Sequence, residues 1–267
     1  MSNVRTNESP TWCPGCFNFQ ILAGAQRFFE TQLYNGKSKK DFAIVMGIGC
    51  HAKMFDYLDM PGINTLHGRV VPTCTGIKLA RPETNVFGFS GDGDAYAEGM
   101  EHLIHAAHNN SDIKYTVHNN QVFALTMGEP TPVTDLGFKD KTTPRGVAVR
   151  PMNPIKLMLA AGATFVARVY ADVASVQAVM EEVMKHKGFA FIEIIQPCII
   201  FHADAGYKER FYNLQQANHN ISDIKAAMDR ADEFDYNSKE GKIPLGIFYK
   251  ADKPTFEEIK LNKQVNK

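Results

Sequence analysis

The sequence predicts an α/β fold: a mostly parallel sheet with helices on both faces, followed by a C-terminal arm. Three observations carry this. Short β-branched and aromatic runs alternate with longer stretches of helical period, the pattern of repeated strand–helix–strand units. Cys50, Asp92, Asn119 and Cys198 each stand just past a predicted strand, at the edge where open parallel sheets gather their ligands. The 267 residues are 44% hydrophobic and 22% charged, which suits a globular chain with a sizeable core.

A first helix starts after Cys16, because Phe17, Ile21, Ala25, Phe28 and Phe29 recur at helical spacing, and Asn35-Gly36 ends it. Phe42-Ala43-Ile44-Val45-Met46 is a continuous apolar run of strand length, stopped by Gly47 and Gly49. Residues 85–89 make a second strand ahead of Gly91-Asp92-Gly93, and residues 94–108 a helix with Ala97, Met100, Ile104 and Ala107 on one face. A third strand over 113–117 ends at Asn119-Asn120. Residues 121–150 hold Pro130, Pro132 and Pro144 without a clear period, and so long a loop inside a domain is usually functional. Asn153-Pro154 reads as a cap with proline at the first helical position. Residues 164–169 and 189–195 read as strands, and Asp172 caps the helix between them, which carries Val173, Val176, Met180 and Val183. Beyond residue 200 the chain turns polar, with Ile243-Pro244-Leu245-Gly246-Ile247-Phe248-Tyr249 as its one strong apolar segment. The organisation expected is a domain over 1–200 and an arm over 201–267 that packs on it or on a partner.

Lys plus Arg and Asp plus Glu both number 29, whereas a nucleic-acid partner calls for a basic excess. No apolar run approaches the roughly 20 residues that span a bilayer. The stretch from Met1 to Pro10 lacks the apolar core of a secretory signal. A cytosolic chain with neither nucleic acid nor membrane as partner is expected. There, five cysteines point to metal or redox work rather than to disulfides.

Gly91-Asp92-Gly93 is followed by 25 residues and then Asn119-Asn120. The glycines let a diphosphate approach the backbone, and Asp and Asn side chains with a backbone carbonyl are the hard oxygens Mg²⁺ takes. This resembles the thiamine diphosphate motif. Cys13-Pro14-Gly15-Cys16 stands at a helix start, where thiolates are favoured. Together with Cys50 and Cys198 it supplies enough sulfur for a [4Fe–4S] cluster or a structural zinc. Spacing leaves these two open; a thiamine site on the same edge favours the cluster, because electrons then have a purpose. Cys74 reads as a small buried side chain. His102, His105 and His108 drift around a helix axis rather than sharing a face, so a structural or interface role is expected.

Trp12-Cys13-Pro14-Gly15-Cys16, Gly47-Ile48-Gly49-Cys50, Leu66-His67-Gly68-Arg69, Thr75-Gly76-Ile77-Lys78-Leu79-Ala80, Gly91-Asp92-Gly93-Asp94-Ala95-Tyr96 and Gln196-Pro197-Cys198 occur in that order. With the apolar segment 243–249, they resemble the β subunit of two-subunit 2-oxoacid:ferredoxin oxidoreductases. The resemblance implies a thiamine diphosphate-binding fold in which Cys13, Cys16, Cys50 and Cys198 ligate a [4Fe–4S] cluster. It implies that Asp92, Asn120 and the Val122 carbonyl hold Mg²⁺, and that Lys53 faces the substrate. Gly49, His67, Gly68, Arg69, Gly91 and Gly93 belong to the cofactor site by the same likeness. The implied reaction is the reversible, coenzyme A-dependent oxidative decarboxylation of a 2-oxoacid, with 2-oxoglutarate or a broad range expected and electrons passing to ferredoxin. No Glu falls within these motifs to sit beside the aminopyrimidine ring; in the resembled family it comes from an α subunit. Phe17 stands where the family usually has Gly, His118-Asn119-Asn120 replaces a hydrophobic-Asp-Asn, and Met127 and Glu129 depart along the substrate border. The rival readings are a non-redox thiamine decarboxylase with structural zinc and a catalytically idle assembly partner.

Overall fold

The computed structural model describes residues 4–203, 207–234, 236 and 240–265. The first three residues of the N-terminal stretch and short parts of the C-terminal segment lie outside these. Helix α1 (Asn18–Tyr34) starts where the turn from Cys13 to Cys16 ends, and Ile21, Ala25, Phe28 and Phe29 are fully buried along it. Then come β1 (Phe42–Met46), a short α2 (Met54–Tyr57), β2 (Gly62–Asn64), α3 (Val70–Ala80) and β3 (Asn85–Gly91). The expected helix over 94–108 is divided: Asp94–Glu98 is one turn of π-helix, and α4 (Met100–Asn109) begins after Gly99. The division has a tertiary cause, since Asp94 in that turn accepts the Gly68 N–H from a separate loop.

β4 (Lys114–Asn119) precedes a small hairpin, β5 (Val122–Phe123) and β6 (Glu129–Pro130), inside the long loop. The series continues with α5 (Pro154–Ala161), β7 (Phe165–Tyr170), α6 (Val173–Met184) and β8 (Ala190–Ile195). Asn153 and Asp172 cap α5 and α6, accepting from the Lys156 and Ser175 N–H groups at 3.1 and 2.9 Å. The C-terminal segment holds β9 (Phe211–Asn213), α7 (Ile224–Ala231), β10 (Ile243–Lys250) and α8 (Phe256–Val265). Helix α3 left no clear signal because it lacks a side-chain cap and carries Pro72. Proline is tolerated in a first turn, whose N–H groups have no helical partner.

The eight-stranded sheet runs β2-β1-β3-β4-β8-β7-β10-β9. From β2 to β7 neighbouring strands are parallel; β10 is antiparallel to β7, and β9 parallel to β10. The apolar segment of the C-terminal region is thus a strand of this sheet. Alternate residues face opposite layers: Ile44, Met46 and Ile192 pack against α1 and α6, while Val45, Tyr115 and Phe191 pack against α3, α4 and α5. Phe28, Phe29, Phe42 and Phe87 interlock with ring centroids 5.0 to 6.4 Å apart, each contributing about 2–3 kcal/mol by burial. β1, β3 and β4 advance across the sheet, β7 skips a place, and β8 returns beside β4. On the other side of β1 lies β2, so the order switches between β1 and β3, where an open sheet leaves a crevice at its carboxyl ends.

The amino ends carry stability. Asp112 holds the Lys78 and Lys114 ammonium groups, each at 2.7 Å, and accepts the Gly188 N–H at 3.0 Å. Burial pushes its carboxyl up, but the two ammoniums outweigh it and hold it down at about 2. A lowered folded-state value gives stability that is present above the ordinary carboxylate range and lost as pH falls through about 2. Asp112→Asn is expected to cost at least about 2 kcal/mol near neutrality. Urea unfolding over a pH series checks this, with the gap to the parent protein narrowing as pH drops from about 5 toward 2.

Candidate functional site

Three loops bring four thiols to one place. Cys13 and Cys16 close a turn, the Cys16 N–H donating to the Cys13 carbonyl at 3.0 Å. Cys50 follows β1 and Cys198 follows β8. All four line a cavity of 190 Å³, together with Lys53 and Asn120. Burial pushes the Cys50 thiol up to about 11, and the other three sulfurs push it further in the same direction. Cys16 is raised for the same reasons. Without a cation these thiols stay protonated; a cationic centre between them would favour the thiolates. Trp12 Nε1 donates to the Cys50 carbonyl at 2.6 Å and fixes that loop; Lys53 Nζ donates to the Thr11 carbonyl at 3.3 Å. Cys74 lies elsewhere, fully buried, its thiol raised by that burial.

A second cavity, of 80 Å³, is lined by Gly49, His67, Gly91, Asp92, Gly93 and Val122 among others. It shares Cys50, Asn120, Ala124, Leu125 and Gln196 with the thiol cavity, so the two are neighbours across one wall. Asp92 is 2% exposed and accepts the Thr131 hydroxyl at 2.6 Å. Burial pushes its carboxyl up to about 7, only partly opposed by hydrogen bonds that include the Asn120 N–H. A carboxylate so poorly compensated suits a cation. Asn120 Oδ1 accepts the Val122 N–H at 3.1 Å, so the turn folds back on itself. Gln121 between them takes a left-handed φ of 62°, a conformation side-chain-bearing residues rarely adopt. Asn119 points away into the core, where its amide donates to Glu193 Oε1 at 2.8 Å.

The donors fit the groups the motifs imply. Asp92, Asn120 and the Val122 carbonyl are hard oxygens of the kind magnesium takes, and four thiols suit an iron–sulfur centre or zinc. A Cβ on Gly93 would stand 2.2 Å from Phe123 Cε1, which leaves no room for a side chain there, and one on Gly91 would be a tight 3.1 Å from His51 Nδ1. Gly68, at φ 66°, gives its N–H to Asp94 at 2.8 Å, and His67 Nδ1 lies 3.3 Å from the same carboxylate. The motif around His67 is thereby tied to the motif around Asp92. Arg69 is exposed, with Nη1 3.4 Å from His102 Nε2, and lines neither cavity. Among the described residues no three His, Cys, Asp or Glu side chains are placed to hold one ion. His102, His105 and His108 therefore make no metal site, and the four thiols border a cavity rather than a single point. His51, Asn18 and Thr131 escaped the sequence reading, and His118 entered it only as a departure from the family pattern. His51 was legible as the neighbour of Cys50, and His118 as a polar residue ending a buried strand.

Residues 47–194 match the thiamine pyrophosphate enzyme C-terminal TPP-binding domain, and residues 204–263 match the C-terminal part of the pyruvate ferredoxin oxidoreductase beta subunit. Over 249 residues the chain is 37% identical to 2-oxoacid:ferredoxin oxidoreductase subunit beta of Saccharolobus solfataricus, covering 89% of this chain and 81% of that one. It belongs to the β subunits of the 2-oxoacid:ferredoxin oxidoreductases. This β subunit is also 41% identical over 197 residues to 2-oxoglutarate synthase subunit KorB of Archaeoglobus fulgidus, covering 73% and 72% of the two chains. In structure it resembles 2-oxoglutarate:ferredoxin oxidoreductase from Magnetococcus marinus, solved with 2-oxoglutarate, coenzyme A and succinyl-CoA bound. The TM-score is 0.90 at 32% identity, covering 98% of this chain and 89% of that one. The β subunit therefore has a thiamine diphosphate-binding fold. Among its described residues no helix is long and apolar enough to cross a membrane.

Gly68→Ala is expected to lower the melting temperature by several degrees and to weaken thiamine diphosphate binding, because its Cβ would stand 2.1 Å from the Glu98 carbonyl oxygen. Gly76→Ala in α3 is the control: its Cβ meets open space, and the change favours the helix by about 0.5–1 kcal/mol. Thermal unfolding and calorimetric titration of the cofactor distinguish the two.

Proposed function

We propose that this β subunit, joined to its α subunit, carries out the coenzyme A-dependent oxidative decarboxylation of a 2-oxoacid, with 2-oxoglutarate as the substrate and ferredoxin as the electron partner. The observation that supports this above the rest is the wall shared by the thiol cavity and the Asp92 cavity. Electrons released in one then have a short path into the other. The likeness to 2-oxoglutarate enzymes supports the substrate.

In this reading Cys13, Cys16, Cys50 and Cys198 ligate a [4Fe–4S] cluster, and Asp92, Asn120 and the Val122 carbonyl hold Mg²⁺ against the diphosphate. When bound, thiamine diphosphate supplies the carbanion chemistry and electron sink for breaking the bond to the carboxylate, and the cluster supplies a one-electron path. The protein supplies placement. Gly91 and Gly93 keep side chains out of the loop that meets the diphosphate, and Gly49 and His67 close the pocket walls, with Gly68 and Arg69 carrying the loop behind them. Thr131 and the Asn120 N–H fix the Asp92 carboxylate, which would hold the metal. Lys53 offers the substrate carboxylate an ammonium group at the mouth of the thiol cavity. Residues 1–200 carry the ligands of both sites, and within 201–267 strands β9 and β10 complete the sheet beside them.

The αβ complex is expected to contain iron and acid-labile sulfide in equal amounts and to reduce ferredoxin only with a 2-oxoacid and coenzyme A. Cys50→Ser removes the cluster and the ferredoxin reduction together. A colourless, zinc-loaded complex favours a non-redox decarboxylase instead, and failure of the complex to bind thiamine diphosphate with Mg²⁺ marks an assembly role. The β chain alone is expected to bind the cofactor without turnover, because the carboxylate for the aminopyrimidine ring lies on the α subunit. Turnover by pure β chain would refute that division of labour.

A further inference from the structure

Asn18 opens α1 and is 1% exposed, and both ends of its amide are engaged. Nδ2 donates to Cys16 Sγ at 3.7 Å, and Oδ1 lies 3.1 Å from His118 Nδ1. The chemistry of the groups decides the direction of each bond. A thiolate only accepts, so the amide must turn its NH₂ to the sulfur and its oxygen to the imidazole. An amide oxygen also only accepts, so His118 must carry its proton on Nδ1. Nε2 is buried with no hydrogen-bond partner among the described residues, and the ring lines the Asp92 cavity. Two buried side chains thus run from the Asp92 cavity to one sulfur of the thiol cavity.

We propose that Asn18 is a positioning residue that sets the reduction potential of the cluster by hydrogen-bonding Cys16, and that His118 holds the amide in the donating orientation. This rests on the cluster assignment above. Reduction adds one electron to the cluster, and the added negative charge spreads onto its sulfurs. A hydrogen-bond donor at a sulfur stabilises the reduced form more than the oxidised form, so it raises the potential. Without His118 the amide is free to rotate away, and the donor is lost for part of the time. The bond matters to the direction of the chemistry, because the cluster must be reducible by electrons arriving from the neighbouring cavity.

The test is a mediated redox titration of the anaerobic αβ complex, the reduced cluster being followed by electron paramagnetic resonance in Asn18→Leu, His118→Leu and the double variant. Iron and sulfide content, unaffected by the loss of one hydrogen bond, confirms that each variant is loaded. Asn18→Leu is expected to shift the midpoint to more negative potential by about tenfold in the reduction equilibrium, or about 59 mV for one electron. His118→Leu shifts it less in the same direction, and the double variant goes no further than Asn18→Leu, since His118 acts through Asn18. An unchanged midpoint in Asn18→Leu overturns the proposal, and so do shifts that add in the double variant. If Asn18→Leu does not assemble, His118→Leu decides alone: a more negative midpoint supports the relay and an unchanged one overturns it. A parent complex without iron and sulfide overturns the underlying functional reading, and the relay with it.

Discussion

The turn bearing Asn120 hangs from a buried ion pair. Arg168 on β7 and Glu193 on β8 are both fully buried, with Nε and Oε2 2.8 Å apart. A pair like this gains little net stability, because desolvation offsets most of the attraction. Its value here is positional. Glu193 Oε1 accepts the Asn119 amide at 2.8 Å, and Asn119 Oδ1 accepts the Gln121 N–H at 3.2 Å. The pair therefore anchors the residues on both sides of Asn120. The C-terminal segment completes the anchor: Phe234, Tyr236 and Phe248 surround the guanidinium at 5.2 to 5.4 Å, and Arg168 Nη2 donates to the Tyr236 hydroxyl at 3.0 Å. A polar region remote in sequence thus helps to place the turn bearing Asn120.

A second tie runs along the carboxyl edge. Gln121 Nε2 donates to the Val133 carbonyl at 2.7 Å and to Asp135 Oδ1 at 3.1 Å, while its Oε1 accepts the Tyr207 hydroxyl at 2.6 Å. Its own carbonyl accepts the Thr134 hydroxyl. The other Asp135 oxygen lies 3.2 Å from His202 Nε2, in the loop that carries Cys198. The left-handed backbone of Gln121 is held by every polar group it owns. The long segment after β4 works as a brace: it donates to Asp92 through Thr131 and links the loop bearing Cys198 to the turn bearing Asn120.

Much of this was legible in the residues. Phe42–Met46 reads as a strand because an unbroken apolar run bounded by glycines has no other stable use in a chain of this composition. Asn153 and Asp172 announce their helices because a cap is a local interaction within four residues. The thiol set and the motif around Asp92 were legible for a different reason: their chemistry demands particular residue types. The short α2, the uncapped α3 and strands β2 and β9 were not. Their residues carry weak local preference and take their form from neighbours supplied by the rest of the fold. The π-turn at Asp94 depends likewise on a bond from Gly68, 26 positions away.

The sequence by itself determined the alternation of strands and helices, the four sulfurs and the oxygen donors at Asp92 and Asn120, since each follows from side-chain chemistry or short-range periodicity. Only the tertiary structure decided that the two cavities share a wall, that β10 closes the sheet beside β7, and that Arg69 turns outward. It also decided that His118 and Asn18 meet, although they lie 100 positions apart. The reason is physical: a partner's identity is written locally, but its distance depends on how crossovers stack strands, and no single segment contains that information.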